Sequence, residues 1–130
     1  TVLRIADWFG VRQVWCSSDC VEAYNPKCVQ ASMGSLFRVS VVHDDLTGLI
    51  RSATDHGAHT FKADAHGENV FDASLSRPAV LVMGSESHGL RENVRALAGT
   101  TIAIPRYGKA ESLNVSTAAA ALCMEFARRG

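Results

Sequence analysis

Short apolar runs rich in β-branched and aromatic residues recur along the chain, at VRQVWC (11–16), LFRVSVV (36–42), AHTFKA (58–63), AVLVMG (79–84) and TIAIP (101–105). Runs of this length bounded by turn residues predict strands, and the stretches between them carry helical patterns. Strands alternating with helices predict βα units, and hence an α/β fold with a mostly parallel sheet.

The helical stretches are punctuated accordingly. Asp44 and Asp45 are placed to cap a segment ending at Gly57, and Ser112 or Asn114 to cap one running to about Arg129. The first ten residues predict a helix ending at Gly10, with Leu3, Trp8 and Phe9 available for the core. A doubly wound domain normally opens with a strand, so a start in mid-helix predicts that residues before Thr1 are missing. The polar stretch ADAHGENVFDASLSRP (63–78), closed by Pro78, predicts a loop between two units.

Composition narrows the class. At 130 residues the chain is expected to form one domain, spanning 1–130, that buries about two-thirds of its unfolded surface without disulfide staples. Hydrophobic residues make up 47% and charged residues 20%, the balance of a folded α/β domain. No apolar run reaches the roughly 20 residues of a membrane-spanning helix. Arg4 and Asp7 interrupt the first ten residues, which lack the pattern of a signal peptide, so a cytoplasmic protein is expected. Cys16, Cys20, Cys28 and Cys123 match neither common zinc spacings nor a redox pair, predicting reduced, structural thiols and no metal. Thirteen basic and thirteen acidic residues cancel. A nucleic-acid partner would therefore have to be held by a local patch, a dimer groove or another domain.

Two stretches carry candidate chemistry. In AVLVMGSESHGLREN a buried-strand run stops at Gly84, and a turn holding Ser85, Glu86, Ser87, His88 and Gly89 leads towards a helix. Ligands of open α/β sheets bind at the carboxyl ends of strands, where this turn falls. Alternatively, Gly84 and Gly89 only supply turn geometry and Glu86 is a solvated loop residue. In TIAIPRYGKAESLNVSTAAAALCMEFA a strand ends near Pro105, a loop carries Gly108 and Lys109, and Ser112, Leu113 and Asn114 open an alanine-rich helix. The bland alternative there is an ordinary capped helix. Neither a G-x-x-x-x-G-K-[ST] nor a G-x-G-x-x-G run occurs, which weakens a reading as another kind of nucleotide-binding enzyme.

Together VMGSESHGL and IPRYGKAESLNVSTA resemble the second and third motifs of the SpoU family of RNA ribose 2′-O-methyltransferases, in the SPOUT superfamily. TVLRIADWFGV is similar to the tail of that family's first motif, Asn-x-Gly-x-x-x-Arg, with Arg4 in the arginine place and the Asn and Gly falling before Thr1. PKCVQASMGSLFRVSV (26–41) also resembles the family, so the similarity spans nearly the whole chain.

The resemblance implies a parallel sheet with helices on both faces, a deep trefoil knot near the C-terminus and a homodimer. It implies S-adenosylmethionine as methyl donor, with Met83, Gly84, Ile104, Gly108 and Leu113 binding it. Ribosomal or transfer RNA is the implied substrate. Arg4, Glu86, Ser112 and Asn114 are the implied catalytic set. Beside Arg4, the residues Arg38, Arg106 and Lys109 are candidates for the local basic patch that RNA phosphates require, the alternative being isolated surface charges. The arginine in the Arg4 place is usually assigned as general base, yet a guanidinium stays protonated in proteins. A phosphate clamp that favours alkoxide character at the 2′ oxygen suits it better. His88 is left outside the catalytic set. The alternative is a non-catalytic RNA-binding or scaffold protein that keeps the fold.

Overall fold

A computed structural model describes residues 2–16, 39–84 and 89–129. The chain divides into two compact units, Thr1–Leu49 and Ile50–Gly130. The elements, in order, are α1 (Val2–Trp8), β1 (Gln13–Cys16), β2 (Ser40–His43), α2 (Leu46–Asp55), β3 (His59–Asn69), β4 (Ala79–Val82), α3 (Glu92–Arg95), β5 (Thr100–Ala103) and α4 (Val115–Arg129).

In the first unit β1 and β2 pair in parallel, Gln13 opposite Ser40 and Cys16 opposite His43. Leu3 and Ala6 of α1 share one helix face and pack with Val39, Val14 and Val41. Trp8 stands about 140° round the helix from Leu3 and is 82% exposed, so it does not join the core, whereas Phe9 is half-buried. The helix ends at Gly10, whose φ of 74° lets the Gly10 N–H reach the Asp7 carbonyl and the Val11 N–H the Ala6 carbonyl. The same pair of bonds closes α2 at Gly57, with Gly57 donating to Thr54 and Ala58 to Ala53. At the other end of α2 the Asp45 carboxylate accepts from the backbone and hydroxyl of Thr47, the expected cap.

The second unit holds a three-stranded parallel sheet in the order β4-β3-β5. Its centre, β3, runs through to Asn69, so the loop expected over 63–78 begins only after that residue. The polar letters there misled because Ala65, His66 and Glu68 face solvent, while β5 holds the backbone. Pairing is interrupted after Ala63 and resumes with Glu68 opposite Ile102 and Asn69 opposite Ala103. Tertiary pairing outweighs local composition at such an irregularity.

Alternation along β3 sorts the two faces of the sheet. Phe61 points towards α4, its ring edge-on to Phe126 at 5.2 Å, and joins Val70, Ala73, Ile102 and Leu122 in the main core. Lys62 points the other way, towards α3, so helices cover both faces of this sheet.

The C-terminal turn of α4 is tied down by polar groups. Glu125, 7% exposed, accepts from Arg128 and Arg129. The Arg129 guanidinium also donates to the carbonyls of Val70, Phe71 and Ala73. Arg128 foremost, and then Arg129, hold the Glu125 carboxyl below the usual carboxylate range against the opposing effect of desolvation. A carboxyl lowered on folding stabilises above its unfolded value, about 4.3 for glutamate, and that contribution is lost as pH falls through the lower folded value. Glu125→Gln is expected to lower the melting midpoint at pH 7 and to flatten the acid limb of a midpoint-against-pH curve below about pH 4. An acid limb that keeps its wild-type slope would show that the pair does not contribute.

Candidate functional site

The carboxyl ends of β4 and β5 lie on either side of β3, and both lead into the turns singled out from sequence. Met83 follows β4 and Ile104 follows β5. Both are half-buried against the Phe61–Ile102 core, so the sheet brings these two expected cofactor residues to one edge. Backbone groups at such an edge are no longer used by the ladder and can meet a ligand.

Gly84 has a structural cause of its own. A side-chain carbon there would sit 2.6 Å from the Leu90 nitrogen and overlap the Gly89 carbonyl carbon, because the returning chain crosses directly over it. Only a glycine admits that crossing. Gly108 differs, since a carbon added there meets nothing within 4 Å, leaving that side open for a partner.

Beyond Ile104 and Pro105 the chain is exposed through Asn114, with Arg106 donating to the Ala110 carbonyl across the loop. Ser112 and Lys109 are exposed, and Leu113 is 51% exposed, an apolar side chain beside the start of α4 with its surface uncovered. Between the two capping candidates the structure selects Asn114, whose Oδ1 accepts from the Ser116 N–H at 2.8 Å and the Thr117 N–H at 3.4 Å. The cap thus engages the amide oxygen of a residue also expected in catalysis.

Arg4 is exposed on α1, in the first unit. Glu86, His88 and Arg38 lie outside the described residues, as do Cys20 and Cys28. Cys16 and Cys123 are half-buried, and burial pushes the Cys123 thiol up. Among the described residues no three His, Cys, Asp or Glu side chains gather into a metal site, and no helix is long and apolar enough to cross a membrane. A cavity of about 330 Å³ opens at the amino ends of β3 and β5, lined by His59, Thr60, Ser74, Ser76, Gly99 and Thr100 among others. It is at the opposite edge from the motif residues, none of which lines it.

Sequence reasoning passed over Lys62 and Asp64. Lys62 is 7% exposed, and its ammonium donates to the carbonyls of Arg95 at 3.0 Å and Leu97 at 2.6 Å. Asp64 pairs with the Arg95 guanidinium at 2.5 Å and accepts from the His66 N–H at 2.9 Å. The His66 N–H first, and Arg95 after it, hold the Asp64 carboxyl below its ordinary range despite partial desolvation. A lysine inside the apolar run AHTFKA was the available signal.

A parallel sheet with glycine-bearing turns at the carboxyl ends of two strands is the arrangement in which open α/β proteins hold their ligands. Comparison with known proteins gives the family. The chain belongs to the SpoU rRNA methylase family, whose model matches residues 1–124. It is 32% identical to a 23S rRNA (uridine(2479)-2'-O)-methyltransferase of Streptomyces viridochromogenes, over 99% of this chain and 47% of that protein. Its fold is similar to that of the SpoU methyltransferase AviRb from S. viridochromogenes in complex with AdoMet, with a TM-score of 0.88 at 31% identity, covering 98% of this chain and 51% of that one. An AdoMet-bound rRNA methyltransferase from Sinorhizobium meliloti superposes with a TM-score of 0.91 at 27% identity, over 99% of this chain and 50% of that one. The chain spans about half the length of the curated relatives it matches.

Proposed function

We propose that residues 1–130 are the catalytic domain of an S-adenosylmethionine-dependent methyltransferase that modifies a ribose 2′-hydroxyl of ribosomal or transfer RNA. The observation that carries this reading is the placement of Met83 and Ile104 at the carboxyl edge of one sheet, in a chain whose relatives are named as 2′-O-methyltransferases. Those names favour catalysis over a scaffold that merely keeps the fold.

The edge suits the methyl donor. Adenine needs an apolar slot with backbone partners, and half-buried Met83 and Ile104 with uncovered Leu113 supply apolar surface. The open side of Gly108 leaves room for close approach. S-adenosylmethionine, when bound, supplies an electrophilic methyl group on a sulfonium.

The protein's task is alignment and proton removal. As the 2′ oxygen bonds the methyl carbon and the sulfur–carbon bond breaks, the hydroxyl proton leaves to water, phosphate or Glu86. Arg4 clamps an RNA phosphate with its planar fork and stabilises developing negative charge at the oxygen. Lys109, Arg106 and Arg38 add phosphate contacts. Ser112 and Asn114 orient the reacting groups, Asn114 from the helix start it caps. A homodimer is part of this reading, since a two-fold interface would let one protomer's Arg4 complete its partner's site. So is the trefoil knot, which the family resemblance implies.

The test is methyl transfer from labelled S-adenosylmethionine to ribosomal and transfer RNA, followed by digestion to nucleosides. Label in ribose-methylated nucleosides is expected. Label in a base would overturn the ribose reading, and no transfer to either RNA would return the scaffold.

A further inference from the structure

The strongest unexplained feature is a pair of adjacent same-face charges on the central strand, both spent on one short segment. Lys62 and Asp64 are two residues apart on β3 and so project to the same side of the sheet. Lys62 holds the backbone carbonyls of Arg95 and Leu97, and Asp64 holds the Arg95 guanidinium. Arg95 is therefore gripped at both its carbonyl and its side chain.

Burying an ammonium with only carbonyl partners is a costly way to fill a sheet face, and an apolar side chain would do so more cheaply. What the arrangement accomplishes is positional. Residues 89–97 are the return arm of the β4 turn. At one end Gly89 and Leu90 press on Gly84, and from there Leu90, Val94 and Leu97 are buried in sequence. At the other end the arm is fixed to β3 by Lys62 and Asp64. The backbone at Gly84 is thus set by a lever whose far end is polar and whose geometry three directional contacts specify.

We infer that Lys62 and Asp64, acting through Arg95, are positioning residues that hold the Gly84 backbone in its cofactor-binding geometry. This rests on the reading that the β4 edge binds S-adenosylmethionine. Neither side chain touches the cofactor. Arg95 offers the cleanest handle, because its side chain is 47% exposed and its loss leaves the buried lysine in place.

The test compares wild type, Asp64→Ala, Arg95→Ala, their double variant, Arg95→Lys and Lys62→Met in the full chain. Three quantities are read: calorimetric Kd for S-adenosylmethionine, melting midpoint, and hydrogen exchange of the Leu90 amide without cofactor. Each alanine variant is expected to raise Kd about tenfold, the double no further than either single, and Arg95→Lys to recover most of the loss. Leu90 exchange should quicken in parallel. A lowered midpoint with unchanged Kd would make the cluster merely structural and overturn the proposal, as would losses that add in the double variant. If Lys62→Met does not fold, the Arg95 variants still decide. A wild type that binds no S-adenosylmethionine would overturn the cofactor reading, and unchanged Leu90 exchange would then sink the positioning claim separately.

Discussion

Replacing Leu113 with arginine is expected to abolish S-adenosylmethionine binding and leave the protein folded. Leu113 is 51% exposed and precedes the cap of α4, so the larger side chain has room in the free protein and disturbs neither core nor helix start. Exposed substitutions of this kind usually change stability by less than about 0.5 kcal/mol. If Leu113 lines the adenine slot as proposed, the same guanidinium would enter that slot in the complex and stand near a cationic sulfonium. Desolvating it without a partner costs several kcal/mol by general experience with buried charges. An increase in Kd of at least about 100-fold, near 3 kcal/mol, is therefore expected by calorimetry. Wild-type affinity in a variant of wild-type melting midpoint would place the cofactor elsewhere.

The second large effect is on turnover. Arg4→Lys should lower kcat by about 100-fold or more, the size seen when one preorganised donor to a developing oxyanion is removed. Lysine keeps the charge and loses the planar fork, which separates clamp from mere attraction. Arg4 is exposed on α1 and outside the Leu3–Ala6 face, so the melting midpoint should stay put. Affinity for S-adenosylmethionine should not change. A kcat close to wild type would remove Arg4 from the chemistry.

Where hydrophobic periodicity and capping chemistry decide local structure, the sequence was a sufficient guide. Each of the apolar runs at 11–16, 79–84 and 101–105 coincides with a strand to within two residues at either end, and Asp45, Asn114, Gly10 and Gly57 end or begin helices through bonds their residue types can be read for. It failed where a partner decides. The continuation of β3 through ADAHGEN depends on β5, and the exposure of Trp8 on which face of α1 the valines of β1 and β2 cover. The candidate site residues were proposed from motifs, whose order along the chain is the signal, and of them the structure brings Met83 and Ile104 to one sheet edge. The grip of Lys62 and Asp64 on Arg95 and Leu97 joins residues 31 to 35 positions apart and left only a lysine in an apolar run as a trace. The reason for Gly84 was equally hidden, since a ligand and a crossing chain ask for the same residue.

The grip of Arg129 on the carbonyls of Val70, Phe71 and Ala73 has a bearing on how the second unit comes to be folded. Those bonds close over separations of 56 to 59 residues, and the sheet beneath them is parallel, so its neighbours meet only through crossovers. Local structure can form early, but the pairings that stabilise it arrive late, after most of the loop-closure entropy has been spent. Until α4 docks, Phe61 and Ile102 have no cover on one side and are open to association with other chains. The final helical turn therefore closes contacts that span most of this unit, and the cover of its core is complete only once that turn is in place.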